Sequence, residues 1–242
     1  MTISSRQNDL FKKLLSLTKS KGLKDNQQCL VSGEKITQEI SQLTKIPFFW
    51  IHSESQTLPP GSWNKTVSLS QELFNELDVC GTHKPILCVD FKKIKERDQL
   101  DNNKAAVFCA LSDPTNLGAL IRTCAAFGIE QIVLLKESGH PFLPKAIRAA
   151  SGSSLSMEMF KGPSIQDIVT PDIVALDMNG SMLSSNHLKK NMKILVGEEG
   201  QGVPLSFPGE RIHLPISNKV ESLNATIAAS LLVYEWSKVH AP

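Results

Sequence analysis

The chain has little aromatic surface: 6% of its 242 residues are Phe, Trp or Tyr, with a single tyrosine. A platform of stacked rings for reading single-stranded bases is therefore not expected. No apolar run approaches the length needed to span a bilayer, so no membrane partner is expected. The five cysteines, Cys29, Cys80, Cys88, Cys109 and Cys124, are odd in number and form no C-x-x-C. They fit reduced thiols and a cytoplasmic location better than a disulfide framework. The six histidines are scattered, with no i, i+4 pair and no cysteine at ligand spacing, so no metal site is expected. G-x-S-x-G, the P-loop and G-x-G-x-x-G are all missing, which sets aside serine hydrolases, P-loop nucleotidases and dinucleotide-binding dehydrogenases. Charge of one sign is missing too. With 26 basic and 24 acidic residues the net charge is +2, so no global field marks a polyanionic partner. Basic bias is confined to residues 1–25, with six Lys/Arg against two Asp, whereas residues 101–242 hold 12 basic and 13 acidic groups. That N-terminal stretch is amphipathic, as an organellar targeting peptide would be, but Asp9 and a lone Arg6 weigh against that reading.

What is present is an ordinary globular composition with two different rhythms. Up to residue 91 the pattern predicts a helix over 5–20 stopped by Gly22, strands at 29–31 and 47–52, a loop at 58–64, a helix capped by Ser70, and a strand at 85–91. Residues 92–104, KKIKERDQLDNNK, are almost pure charge and amide and read as a solvated linker. From 105 onward strands alternate with helices: strands at 105–111, 131–135, 157–160, 173–177, 193–196 and 211–214, helices at 116–127 and 144–150, and a long final helix at 223–239. This alternation predicts an α/β domain over 105–242 with a mostly parallel sheet, preceded by a smaller α/β domain over 1–91. Ligands of such sheets bind beyond the carboxyl ends of the strands, so the loops after the strands are the places to search.

Three of those loops stand out. SDPTNLG (112–118) enters a helix that Asp113, Thr115 or Asn116 can cap, with Leu117, Leu120, Ile121, Cys124 and Ala125 forming its core stripe and Arg122 off that stripe. Taken alone, Asn116 and Arg122 read better as a capping residue and a solvated surface cation. VGEEGQGVP (196–204) carries glycines at 197, 200 and 202, more than a tight turn needs, and suits close approach of a ligand to backbone. LPISNKVESLN (214–224) opens the last helix, where Ser222 or Asn224 can cap and backbone N–H groups point outward.

Taken together, the three loops resemble the SpoU (TrmH-like) family of RNA ribose 2′-O-methyltransferases, in the SPOUT superfamily. The resemblance rests on Asn116 followed by Arg122, on Gly197, Glu199, Gly200 and Gly202 in G-x-E-G-x-G, and on Pro215 followed by Ser222, Leu223 and Asn224. It covers residues 104–240. It implies a Rossmann-like catalytic domain whose C-terminal segment threads a trefoil knot, S-adenosylmethionine bound in that knot, and a homodimer. It assigns Arg122 to the ribose hydroxyl and its neighbouring phosphate, and implies that Asn116 and Glu199 orient that arginine and shape the site and that Ser222 and Asn224 position the hydroxyl or the helix start. Leu176, Gly197, Leu214, Ile216 and Leu223 fall where members hold the cofactor through backbone groups, and Arg148 and Ser151 fall near the site. Residues 1–90 resemble, more loosely, the L30-like domain that binds RNA ahead of this catalytic domain, although Ser32-Gly33-Glu34-Lys35 replaces its acid-Gly-x-Arg pattern. The two-domain layout resembles members that act on rRNA rather than tRNA.

Guanidinium is effectively never deprotonated in proteins, so the expected role of Arg122 is that of a fixed cation that grips phosphate and stabilises a developing alkoxide. Three other functions fit parts of the sequence. A non-catalytic RNA-binding or assembly protein would not need all five polar motif residues. An oxidoreductase lacks its glycine fingerprint. Base methylation fits Asn116 with Arg122 less well than ribose methylation does.

Overall fold

The computed structural model describes residues 2–42, 48–61, 63, 65–217 and 219–240. Pro47, where the second expected strand begins, and Ser62, Asn64 and Asn218 in the expected loops lie outside the described residues. In chain order the first elements are β1 (Thr2–Ile3), α1 (Asp9–Ser16), α2 (Ser20–Asn26), β2 (Gln28–Val31), α3 (Glu34–Ser41), β3 (Phe48–Ser53), β4 (Thr66–Leu69), α4 (Gln71–Leu77) and β5 (Ile86–Asp90). They are followed by β6 (Ala106–Cys109), α5 (Pro114–Ala126), β7 (Gln131–Leu134), α6 (Pro144–Ala149), β8 (Glu158–Lys161), β9 (Ile173–Met182), β10 (Lys193–Val196), β11 (Arg211–His213) and α7 (Ala225–His240). The chain forms two compact units, residues 1–93 with 140–155 and residues 94–139 with 156–242. A single boundary in 92–104 therefore does not describe it: a later segment containing α6 returns to the first unit.

The first unit is built on a mixed sheet in the order β1-β4-β3-β5-β2, parallel from β1 to β3 and antiparallel across β3-β5-β2. The expected first helix is two helices. Asn8 caps α1 by accepting from the N–H groups of Leu10 and Phe11 at 3.0 and 3.2 Å, and Phe11 and Leu14 turn into the core. Gly22 is not the stop. It is buried inside α2, where a β-carbon would lie 2.1 Å from the Ser16 carbonyl oxygen, so it is the close approach of the two helices that requires glycine. Trp50, Ile51 and Phe74 complete this core. Ser70 caps α4 as expected, accepting from the Leu73 N–H at 3.5 Å.

His140 begins the returning segment and is 8% exposed. Its ring packs near Phe91 and Phe142, with centroids 6.1 and 5.8 Å away, and its Nδ1 accepts the Phe142 N–H at 3.3 Å. Burial, then the charge of Lys24, lowers its pKa to about 4 from the usual 6.5. An unfolded chain takes up this proton first, so the stabilising contribution is complete above pH 6.5 and is lost as pH falls toward 4. Unfolding free energy measured over that window is expected to drop by about 3 kcal/mol more in the wild type than in His140→Asn, which keeps an acceptor for Phe142 but does not titrate. Equal pH slopes in the two proteins would contradict this.

The second unit holds six parallel strands in the order β11-β9-β10-β6-β7-β8. Every residue of β6, β7 and β10 is buried, as strands covered on both faces must be. Phe108, Val133, Phe160, Leu195 and Phe207 form part of the core on one side, and α5 and α7 pack against each other. Residues 92–104, expected as a solvated linker, are mostly exposed, and at Lys95 the chain pairs with β8. Lys95 donates its N–H to Met159 at 2.8 Å, and Lys161 returns one to Lys95 at 2.9 Å. Lys95 pairs with Glu158, Glu96 with Lys161 and Lys104 with Glu130, each at 2.5 Å. Glu158 and Lys161 belong to the edge strand β8, whereas Glu130 precedes β7. Among the described residues no helix is long and apolar enough to cross a membrane.

Candidate functional site

The site lies beyond the carboxyl ends of β6, β9 and β10, where a parallel sheet leaves its loops. After β6 the chain turns at Asp113, which alone of the three candidates caps α5: its Oδ1 accepts from the N–H groups of Thr115 and Asn116 at 2.9 Å each. Pro114 begins the helix, a position where its missing N–H costs nothing. Leu117, Leu120, Ile121 and Cys124 are buried as the periodicity predicts, whereas Ala125 is exposed. Burial lifts the Cys109 thiol at the end of β6 to about 12 and raises Cys124 as well, so neither is a thiolate at neutral pH.

After β10 comes the glycine loop. Glu198 and Gly202 exchange backbone hydrogen bonds at 3.1 and 3.0 Å, closing the loop on itself. A β-carbon on Gly197 would lie 2.5 Å from the Gly202 carbonyl carbon, so the two strands of this turn touch through bare backbone. The third loop ends at Asn224, whose Oδ1 accepts from the N–H groups of Thr226 and Ile227 at 2.9 and 3.2 Å and so caps α7.

Asn116 ties the three together. Its Nδ2 donates to Glu199 Oε1 at 2.6 Å, joining the first loop to the second. Its carbonyl accepts the Thr226 hydroxyl at 3.3 Å, joining the first loop to the helix that follows the third. Two turns further along α5 and one along α7, the Thr123 and Ser230 hydroxyls meet at 3.1 Å.

A cavity of about 670 Å³ lies among these loops. Leu176, Gly197, Leu214, Ile216 and Leu223 all line it, as do Glu199, Ser222 and Asn224. Arg122 does not: it stands exposed on α5 with no hydrogen-bond or ion-pair partner among the described residues, and neither Asn116 nor Glu199 bonds to it. Arg148 and Ser151 belong to the first unit, where Arg148 donates to the Cys80 carbonyl at 2.5 Å. Among the described residues no group of His, Cys, Asp and Glu could hold a metal ion.

Of one wall, sequence reasoning found only Leu176. β9 is longer than the alternating pattern indicated, and its register against β11 jumps: Arg211 pairs with Ala175, but Ile212 pairs with Ser181. The residues between bulge outward, and Leu176, Asp177, Met178 and Asn179 line the cavity. Asp177 forms an ion pair with Arg211, and His213 meets the Gly180 carbonyl through Nδ1 at 3.0 Å. An aspartate followed two residues later by an asparagine was the only local hint, and it signals no more than a turn.

Comparison with known proteins gives the family and the fold. Residues 104–234 match the family model of the SpoU rRNA Methylase family. A curated relative, "Ribosomal RNA small subunit methyltransferase G 2" of Syntrophobacter fumaroxidans, is 35% identical over 98% of this chain, and the chain spans 49% of that protein's length. The "23S rRNA (guanosine(2553)-2'-O)-methyltransferase RlmP" of Bacillus subtilis is 25% identical over 96% of this chain and 97% of its own. Among solved structures, the AdoMet-bound rRNA methyltransferase from Sinorhizobium meliloti has the same fold, with a TM-score of 0.76 and 19% identity over 99% of this chain and 98% of that one.

Proposed function

The chain belongs to the SpoU rRNA methylase family, and we propose that it transfers the methyl group of S-adenosylmethionine to a ribose 2′-hydroxyl of RNA, with rRNA as the substrate rather than tRNA. The observation that carries this reading is the convergence of three separated loops on Asn116, beside a cavity lined by all five residues expected to present backbone to the cofactor. The residues present fit such a group. Leu176, Leu214, Ile216 and Leu223 offer apolar walls for an adenine ring, and the tight turn at Gly197 exposes backbone donors and acceptors in place of side chains.

When bound, S-adenosylmethionine supplies an electrophilic methyl on a sulfonium and the driving force of the reaction. The protein's share is geometry and charge. Asn116 and Glu199 hold the first two loops at a fixed separation, and Asn224 sets the start of α7, with Ser222 beside it at the cavity wall. Arg122, uncommitted to any other side chain among the described residues, grips the phosphate next to the target ribose and stabilises the oxygen as it loses its proton.

The remaining features follow the family: a C-terminal trefoil knot, an L30-like RNA-binding role for the first unit, a homodimer, and a cytoplasmic location. The homodimer is supported by α7, which exposes Ile227, Leu231 and Tyr234 (53, 43 and 45%) at the i, i+4, i+7 spacing of one apolar stripe.

The test is transfer of labelled methyl from S-adenosylmethionine to total RNA, followed by nucleoside analysis of the product. A 2′-O-methylnucleoside in rRNA, missing from the same position in a strain lacking the gene, is the expected result. RNA binding without transfer would make the chain a scaffold, and label on a base would refute the ribose assignment.

A further inference from the structure

We infer that Arg211 is a positioning residue that sets the width of the methyl-donor pocket by holding two of its walls together. This inference rests on the reading of the cavity given above. Arg211 is the first residue of β11, at the point where the register against β9 jumps. Its guanidinium reaches both sides of the cavity rim. On one side Nη1 pairs with Asp177 Oδ2 in the bulge of β9. On the other, Nη2 donates to the Pro204 carbonyl and Nη1 approaches the Val203 carbonyl at 3.4 Å, at the end of the glycine loop. The cation also faces the Phe207 ring, 5.8 Å from its centroid, just beyond that loop.

The opposite end of the chain of contacts is fixed as well. Asp177 Oδ1 accepts the Asn179 N–H at 2.9 Å, so one carboxylate oxygen holds the bulge in shape while the other holds Arg211. Asp177, Asn179, Val203 and Pro204 all line the cavity. The side chains of Arg211 and Asp177 are 18 and 13% exposed, so water competes weakly for either. Only a planar fork can serve a carboxylate and two carbonyls lying in different directions at once; a lysine ammonium is a single point charge. Arg211 lies outside the cavity lining and acts on it through Asp177, Val203 and Pro204, so its effect should fall on cofactor affinity and leave the chemical step alone.

Calorimetric titration with S-adenosylmethionine of the full chain, as wild type, Arg211→Lys, Arg211→Met and Asp177→Asn, tests this, with denaturant unfolding of each protein run alongside. Removing the clamp is expected to raise the dissociation constant about thirtyfold in Arg211→Met and about tenfold in Arg211→Lys and Asp177→Asn. In the methylation assay KM for S-adenosylmethionine should rise in step while kcat at saturation stays within about threefold of wild type. Amide exchange over residues 198–205 of the cofactor-free protein should quicken without change in α5. Variants that unfold cooperatively and bind the cofactor like wild type overturn the inference, as does a loss confined to kcat. If no variant folds, Arg211 is a general stability element and the inference also fails. A wild-type chain that gives no heat overturns the functional reading itself, and is thereby distinct from failure of the clamp alone.

Discussion

Arg122→Ala is expected to slow methyl transfer by about a thousandfold while changing affinity for S-adenosylmethionine by less than about threefold. Both halves follow from where the side chain stands. Arg122 is exposed on α5 and outside the lining of the cavity, so its removal takes nothing from the walls that hold the cofactor. It has no partner among the described residues, so its loss leaves no buried charge behind, and stability should stay within about 0.5 kcal/mol of wild type. What it supplies is a permanent positive charge that strengthens its hold as the ribose oxygen becomes anionic, which is an effect on the transition state. Arg122→Lys keeps the charge but loses the planar two-pronged grip on phosphate, and should recover only part of the rate. Single-turnover assays with saturating RNA, paired with calorimetry, separate the two effects. Undiminished turnover in Arg122→Ala would remove the charge from the mechanism. A parallel collapse of cofactor affinity would show that the arginine belongs to the pocket wall.

How much of this could be read from the sequence depends on the range of the interactions. The parallel sheet of the second unit was legible because β6, β7 and β10 are short apolar runs between helical stripes, a local pattern. The helix cap at Asp113 and the core stripe of α5 were legible for the same reason. Half-buried elements of the first unit were not: β4 has half its side chains outward, and α3 offers only Ile36 and Ile40 as buried apolar anchors. The charged stretch after Lys92 is as exposed as its composition indicates, but the pairing of Lys95, Glu96 and Lys104 with Glu158, Lys161 and Glu130 left no local signal, because the partners lie 26 to 65 residues away. The return of α6 to the first unit left no local trace, since a break in the second half of the chain says nothing about where the segment packs. In the site, the three motif loops could be listed in order, yet the Asn116–Glu199 bond that joins them spans 83 residues. The Arg211–Asp177 pair spans 34 and exists only because β9 bulges, so no spacing rule reaches it.

The second large effect is expected at Gly197, and it separates two reasons for using glycine in one loop. Gly197→Ala would place a β-carbon 2.5 and 2.6 Å from the carbonyl carbon and oxygen of Gly202 and 2.9 Å from the Val203 nitrogen. All three are backbone atoms, so no side-chain rotation relieves the clash. The loop must open, breaking the paired hydrogen bonds between Glu198 and Gly202 at 3.1 and 3.0 Å and moving Glu199 away from Asn116. Overpacking of this kind costs about 1–3 kcal/mol in stability. The larger consequence is for binding, because the displaced backbone is itself the proposed cofactor contact: affinity for S-adenosylmethionine should fall by at least about a hundredfold. Gly200→Ala is the contrast. A β-carbon there meets nothing within 4 Å, and the only obstacle is a φ of +97°, so the cost is conformational and local. Its affinity should fall far less than that of Gly197→Ala, although both glycines line the same cavity. Calorimetry on the two variants decides the matter. Equal losses would mean that the loop acts through its flexibility. Unchanged binding by Gly197→Ala would mean that the turn after β10 does not touch the cofactor, and the pocket would have to be sought elsewhere in the second unit.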